Sequence, residues 1–486
     1  MTSGIAIKRL RATVVVGAVV VGSLAACRVG PNYQAPALPS GAEAPLVSLN
    51  TAAETPRPPP DAWWRLYNDS RLDALVQEAL QANRTLAAAD ANFAAARAVV
   101  SAAHAERYPS TVAYAGGIYG RDAVTDEILE LNGHPPQTFW LYEDIVQAAY
   151  EVDLFGRVHR AIEAANANAD SVLAARDGVR VVVAAETARA YAGLCALGEE
   201  LDVAHHSLEV VSHEADITVK RHEAGANSVY DVTRALALVA QVRSSIPGLE
   251  GQRRATLFEL TAVLGRTPAQ APTDLESCHT PPRLDALIPV GDGTALIRRR
   301  PDVRQAERRL AAATAEIGVA TADLYPTIRL VGLYGGAAVQ LSQLNTNDGR
   351  TWGVGPSISW SFPNMAAPRA RVRQTKAAQA AALASFDSVV LTALKEIEQA
   401  LALYSAVLDT RQALGDAQDK VHAAFRIARD QYAAGSLSHL DLLTTEQSLV
   451  AVDAAVASSD AALVQDQIAV FKALGGGWRG SDERTP

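Results

Sequence analysis

The chain has 486 residues, a net charge of −9 and only 20 % charged residues, so it lacks the basic surface that nucleic acid selects. Its hydrophobic content of 49 % includes just 6 % aromatics; the excess is alanine, which suits long helices packed at short distance. Three cysteines and two methionines, with no Cys-x-x-Cys or Cys/His spacing, exclude a disulfide framework, a structural zinc site and a thioether path for monovalent copper.

Lys8, Arg9 and Arg11 precede an apolar run over 12–22, shorter than a bilayer span, and residues 1–26 read as a secretory signal peptide. The run ends in Leu24-Ala25-Ala26-Cys27, which resembles a bacterial lipobox. That resemblance implies cleavage before Cys27 and its acylation; more than one acyl chain is needed for stable anchoring at about 0.8 kcal/mol per buried CH₂. Cys195 and Cys278 remain in the mature chain and read as two buried or free thiols. Residues 27–60 hold Pro31, Pro36, Pro39, Pro45, Pro56, Pro58, Pro59 and Pro60, so this lipidated tether runs extended along a body folded elsewhere. Trp63 and Trp64 follow as core packing, then a helix whose Leu72, Leu75, Val76, Ala79 and Leu80 form one apolar stripe.

Two structural repeats, 61–265 and 298–475, share one plan. A helix from about Arg84 reaches Tyr108-Pro109, and one from about Asp302 reaches Tyr325-Pro326. The period then changes from 3.6 to 2 over about 110–120, 139–155, 327–339 and 351–362, one β-hairpin per repeat (110–155 and 327–362). In 352–362 the even positions are mostly large and apolar and the odd positions only Gly and Ser. Four strands cannot close a barrel, and lipid tolerates no open edge, so a membrane sheet of this kind needs several chains. Phe139, Trp140, Tyr142, Tyr150, Trp352 and Trp360 supply interfacial aromatics. The helical period returns from about Val158 to Leu197 and Arg369 to Tyr404, runs of on the order of 50 to 60 Å, with Leu383, Phe386, Val390, Leu394, Ile397, Leu401 and Tyr404 as a heptad-like stripe. Partner helices begin after Ser228 and Ser438 and end at Leu264-Gly265 and Leu474-Gly475.

The tips of these helical hairpins, 225–231 and 435–441, repeat Gly-x-x-Ser-x-x-Asp at a displacement of 210 residues. Gly225 and Gly435 take the left-handed position that closes one helix; Ser228 and Ser438 cap the next, with Asp231 and Asp441 as acidic partners. Between the repeats, 266–297 is a proline-rich crossover with a short helix. Arg298-Arg299-Arg300-Pro301-Asp302 reopens the plan, its basic run read as a solvated or phosphate-facing helix start. Residues 476–486 form a tail. His205, Glu209 and His213 share one helix face and could bind zinc, but nothing nearby orients such ligands and a wet polar face gives the same pattern. No phosphate-binding glycine loop, nucleophile elbow or dinucleotide fingerprint occurs, so no enzyme is indicated.

Cys27-Arg28-Val29-Gly30-Pro31-Asn32-Tyr33, Trp63-Trp64, Tyr150-Glu151-Val152-Asp153-Leu154-Phe155-Gly156-Arg157, Arg299-Arg300-Pro301-Asp302 with Ala306-Glu307, and the duplicated tips together resemble the outer membrane factor family. These are the TolC-like channels, and the likeness is to the lipoprotein branch serving tripartite resistance-nodulation-division pumps. It implies an α+β membrane protein: a homotrimeric twelve-stranded outer-membrane β-barrel, four strands per chain, continued by a long periplasmic α-helical barrel with a mixed equatorial belt. It implies a passive exit duct for drugs or other small molecules, no cofactor beyond lipid on Cys27, and as partners a periplasmic adaptor (membrane fusion) protein, an inner-membrane transporter and outer-membrane lipid. Asp231 and Asp441 match positions that line the periplasmic constriction, Tyr432 matches an aromatic that holds it shut, and Gly225, Ser228, Gly435 and Ser438 match tip turns that meet the adaptor. Leu437 and Thr444 depart from the family, standing where some members have a basic latch and a second Asp. Ser361-Phe362-Pro363 fits the strand-to-helix turn less well than Asp153-Leu154-Phe155. Three-fold symmetry would set six carboxylates around one opening, favouring cations and raising some of their pKa values. The alternative reading is a non-channel periplasmic lipoprotein, a helical scaffold whose alternating segments form a small soluble sheet.

Overall fold

The structure, a computed structural model, describes residues 28–48, 54–55, 57–284, 287–291 and 297–476; Cys27, the signal segment and the tail beyond Gly476 lie outside them. The helices used below are α1 (Ser70–Ala82), α2 (Arg84–Ala105), α3 (Ala123–Leu131), α4 (Arg157–Glu223), α5 (Val229–Val263), α6 (Pro301–Ala322), α7 (Ala366–Ala433) and α8 (His439–Ala473). The chain divides into two units. One is drawn from Met1–Pro36, Phe93–Val172 and Ala306–Phe386; the other from Ala37–Asn92, Leu173–Gln305 and Asp387–Pro486.

The first unit carries a four-stranded antiparallel sheet, β1 (Ser110–Gly120), β2 (Phe139–Val152), β3 (Thr327–Ala338) and β4 (Arg350–Ser359), paired in that order. Each predicted strand is present, two of them shortened at the end where a helix begins. Asp153 leaves β2 to accept the N–H groups of Val158 (3.2 Å) and His159 (2.9 Å), which starts α4. At the corresponding point before α7 the acceptor is Asn364, bonded to the Ala366 N–H at 3.3 Å. The two hairpins join through β2 and β3, with Tyr150 opposite Leu330 and Val146 opposite Tyr334. Across β3 and β4, Leu330 faces Pro356 and Tyr334 faces Trp352. Opposed residues of an antiparallel pair share a face. Val146, Tyr150, Leu330, Tyr334, Trp352, Val354 and Ile358 therefore line one exposed apolar side, and Gln147, Glu151, Arg329 and Ser357 the other. At one end of the sheet Trp140 stacks on Tyr142 (5.6 Å); at the other Phe155 stacks on Tyr325 (4.5 Å) and Trp360 on Phe362 (4.8 Å). Two aromatic girdles bracketing an apolar face are what a membrane strand set requires. Among the described residues β1 pairs only with β2 and β4 only with β3, so both outer strands keep an unpaired edge.

In this unit the start of the tether lies against helices: the Tyr33 hydroxyl donates to Glu307 (2.9 Å), and a Cβ at Gly318 would come within 2.7 Å of Arg160. Arg160 is buried and in turn donates to Asn32 (2.7 Å).

The second unit is built on helices and holds α4 from Leu173 and α7 from Asp387 onward. α4 and α7 run unbroken for 67 and 68 residues, roughly 100 Å each, well beyond the lengths expected from the apolar stripes. α5 and α8 are 35 residues each, and their first residues, Val229 and His439, keep the displacement of 210. Windows of α4, α7 and α8 are apolar enough to cross a membrane by length and composition, but a helix of α4's length is about three times the ~30 Å hydrocarbon core. The main core gathers Trp63, Leu72, Val76, Leu194, Leu260, Ile397, Leu401 and Phe471. Trp63 stacks on Phe471 at 4.8 Å, and the Trp64 indole donates to Asp73 (2.8 Å), which places the Trp pair in the core as expected. Asp69 starts α1 by accepting the Arg71 and Leu72 N–H groups (2.8 and 3.0 Å). The tether's Val47 and Ser48 N–H groups donate to Glu398 (2.8 and 2.9 Å).

Two sequence expectations are corrected here. Cys195 and Cys278 are not free thiols: they form a disulfide joining α4 to the crossover. Among its described residues the crossover holds two 3₁₀ turns, Pro268–Gln270 and Thr273–Ser277, and Ile288–Pro289 pairs in parallel with Glu54–Thr55. The basic run before α6 is not a solvated start. Arg300 is buried and donates to Asp302 (2.8 Å), Glu396 (2.6 Å) and the Ala473 carbonyl (2.8 Å), and Arg299 pairs with Asp61; only Arg298 is exposed. A guanidinium has five donors in a fixed fork, and here they join the start of α6, α7 and the end of α8.

Candidate functional site

Both tips take the local form their sequences dictate. Gly225 (φ +80°) and Gly435 (φ +74°) are left-handed, and the following N–H groups reach back, Ala226 to the Arg221 carbonyl (2.8 Å) and Ser436 to that of Gln431 (2.9 Å). Ser228 and Asp231 form a reciprocal capping box: the Asp231 N–H donates to Ser228 Oγ (3.2 Å), and the Ser228 N–H donates to the Asp231 carboxylate (3.0 Å). Ser438 Oγ accepts the Asp441 N–H (3.2 Å) and donates to its carboxylate (2.6 Å).

The two tips then meet through side chains from both hairpins. The Arg221 guanidinium lies 4.2 Å from the centre of the buried Tyr432 ring, and Asn227 Nδ2 donates to the Tyr432 hydroxyl (2.9 Å). His439, the residue after the second cap, has Nδ1 3.6 Å from Asp231 and Nε2 3.0 Å from Thr218 Oγ1. Its ring centre is 5.6 Å from that of Tyr432. Burial lowers the His439 pKa and Arg234 and Arg221 add to this, against the opposing pull of Asp231, so near neutral pH the imidazole is uncharged. Asp231 is held below the usual carboxylate range, first by its hydrogen bond to Ser228.

Of the residues predicted from sequence, the structure brings Asp231 and Tyr432 into one cluster and leaves Asp441 exposed, its carboxylate bonded to its own cap. Leu437 packs on the Phe425, Tyr432 and Leu442 cluster, and Arg221 of the other hairpin lies over the Tyr432 ring. Thr444 Oγ1 donates to the Leu440 carbonyl (2.7 Å) within its own helix. Sequence reasoning missed Arg221, Asn227 and His439. It also missed Val229, Tyr230 and Leu440, which follow the cap serines and are 63 %, 67 % and 50 % exposed.

Five residues after Asp441 on α8, Glu446 is 2 % exposed, with Oε1 unpartnered among the described residues. Burial, with Glu214 second, raises its pKa to about 8, so near neutral pH it is mostly protonated. His205, Glu209 and His213 are exposed on α4, and no group of three or more metal-capable side chains occurs among the described residues.

A family profile described as outer membrane efflux protein matches residues 75–266 and 294–476. The chain is 28 % identical over 464 residues to nodulation protein T of Rhizobium leguminosarum bv. viciae, covering 95 % of this chain and 93 % of that one. It is 28 % identical over 466 residues to the antibiotic efflux pump outer membrane protein ArpC of Pseudomonas putida, covering 94 % and 93 %. Its fold is similar to that of the outer-membrane channel OprN, with TM-score 0.85 and 33 % identity over 93 % of this chain and 100 % of the other.

Proposed function

The chain belongs to the outer membrane efflux protein family, and from that premise we propose that its two hairpin tips form the gated inner mouth of an efflux duct. Three copies form an outer-membrane channel, the exit duct of a tripartite efflux pump, reaching from the outer membrane into the periplasm. Four strands per chain become twelve in the trimer, which supplies partners for the edges left open on β1 and β4. The exposed apolar face of the sheet favours this over a periplasmic scaffold.

The observation that carries the gate is the tie between hairpins at Tyr432, with Arg221 over its ring and Asn227 on its hydroxyl. A mouth formed by six helix tips opens only if the hairpins move apart, and this tie must break first. Asp231 and Asp441 then add six carboxylates to the ring, a field that favours cations at the entrance. Val229, Tyr230 and Leu440 give each tip an apolar patch, the surface on which a periplasmic adaptor would seat. The adaptor would link the duct to an inner-membrane resistance-nodulation-division transporter. Acylation at Cys27 would add a lipid anchor. The cargo class we favour is small amphipathic drugs, by analogy with the antibiotic efflux relative.

The test is single-channel conductance of the purified trimer in planar bilayers. Arg221→Ala and Tyr432→Ala should each raise conductance and open probability several-fold, and Asp231→Ala combined with Asp441→Ala should lower cation preference. Unchanged conductance in both single variants would remove the tie from the gate.

A further inference from the structure

At the helix-bearing end of the sheet the chain gathers two arginines and two histidines, Arg28, Arg107, His104 and His159. The Val29 N–H donates to the Phe155 carbonyl (3.2 Å), which brings Arg28 beside the first turn of α4, where Arg28 Nη2 lies 3.0 Å from His159 Nδ1. A cavity of about 360 Å³ opens there, lined by Tyr33, His104, Arg107, His159 and Arg308 together with the acids Glu163 and Asp170. The side chains of His104 and Arg107 have no hydrogen-bond or ion-pair partner among the described residues. Most nearby acids are committed elsewhere: Glu163 to Arg160 (2.8 Å), Glu151 and Glu106 to Arg157 (2.7 and 3.3 Å), Glu307 to Tyr33, and Asp153 to the start of α4. His159 lies within the reach of both arginines. Burial first, then Arg28 and Arg107, push its imidazole below the ordinary histidine pKa, against the pull of Glu163 and Asp153.

The location gives the cluster a ligand. Arg107 is three residues before β1 begins at Ser110, and His159 seven after β2 ends at Val152. Phe155, stacked on Tyr325, belongs to the aromatic girdle at this end of the sheet, and Tyr108 is exposed beside it. A girdle of this kind sits at headgroup level, so a turn of helix beyond it faces the phosphates of the inner leaflet. Cys27, where the preceding section places the lipid anchor, immediately precedes Arg28 in the sequence. We propose that Arg28, His104, Arg107 and His159 form a binding site for the phosphate of an anionic phospholipid headgroup in the periplasmic leaflet. Arginine forks suit bidentate phosphate contacts, and a phosphate would give Arg107 the anionic partner that its side chain lacks among the described residues. The inference rests on the sheet spanning the outer membrane and goes beyond the gate.

The test uses the mature full-length trimer in detergent, probed by native mass spectrometry with dihexanoyl-phosphatidylglycerol, dihexanoyl-phosphatidylcholine and inorganic phosphate. The wild type should retain the glycerol lipid over the choline lipid. Arg28→Gln and Arg107→Gln should each weaken that retention roughly five-fold, the effect of one surface cation on an anionic lipid. Arg350→Gln, at the opposite end of the sheet, should leave it unchanged. A second readout needs no variant: the His159 imidazole pKa, followed by NMR, should rise when the glycerol lipid is added. Equal retention of both lipids, or Gln variants that bind as wild type, would overturn the proposal. Inorganic phosphate held as tightly as the lipid would overturn the lipid assignment. Single-channel conductance of the same variants is measured in parallel, so failure here is distinguishable from failure of the duct.

Discussion

Removing the disulfide by Cys195→Ser with Cys278→Ser should loosen the crossover far more than the helices it joins, and the magnitude follows from the loop that the bond closes. The two cysteines are 83 residues apart, and closing a loop of that length removes on the order of 4.6 kcal/mol of entropy from a fully unfolded chain. The relevant opening is smaller. α5 ends at Val263 and stays folded when the crossover detaches, so the released segment from Leu264 to Cys278 is about 15 residues, for which the same relation gives about 3 kcal/mol. Other contacts remain: Arg253 donates to the Cys278 carbonyl (2.9 Å), and His279 meets Asp202 (2.8 Å). Hydrogen exchange read by mass spectrometry on the intact trimer is the assay. Protection of amides in 266–284 should fall on the order of a hundredfold in the double variant, or in wild type after reduction and alkylation, while amides in the middle of α4 change little. Protection lost uniformly along α4 and α5, or not lost at all, would refute the reasoning.

Other substitutions test other links. Glu446→Gln should flatten the pH dependence of trimer stability: because the folded pKa is raised to about 8, the wild-type carboxyl contributes most below pH 4.5 and loses that contribution as pH rises toward 8, so the variant should gain on wild type at pH 8 in a melting series. Arg300→Met leaves the buried Ala473 carbonyl and two carboxylates without their donor, and should cost about 1–3 kcal/mol, read as a lowered urea midpoint. Trp63→Ala empties a fully buried site against Phe471 and should cost about 3–5 kcal/mol, read the same way.

The strands, the tip glycines, the cap serines and the Trp63 core were all legible in the sequence because each depends on neighbours within a few residues. Period-2 alternation and the Gly-x-x-Ser-x-x-Asp frame carry their own geometry. What escaped notice depends on which residues the fold superposes. Cys195 and Cys278 pair because the crossover doubles back onto α4, which no spacing records. Arg300 looked like one of three exposed cations and became buried because α7 and α8 each bring an acceptor to it. At the mouth, Arg221 and His439 are unremarkable on their own helices, and their meeting at Tyr432 arises from two hairpins lying side by side. The length of α4 and α7 was understated because apolar stripes mark only the stretches buried on one side, whereas the backbone continues wherever nothing interrupts it.

The open outer strands of each sheet carry a genetic consequence. A ring of three is sealed by three equivalent seams, each joining the first strand of one copy to the last strand of the next, so one chain with a spoiled seam leaks for all. In a cell making equal amounts of sound and seam-defective polypeptide, random mixing leaves only about one assembly in eight wholly sound. Lesions along β1 or β4 should therefore behave as dominant, while an allele that fails before insertion should be recessive.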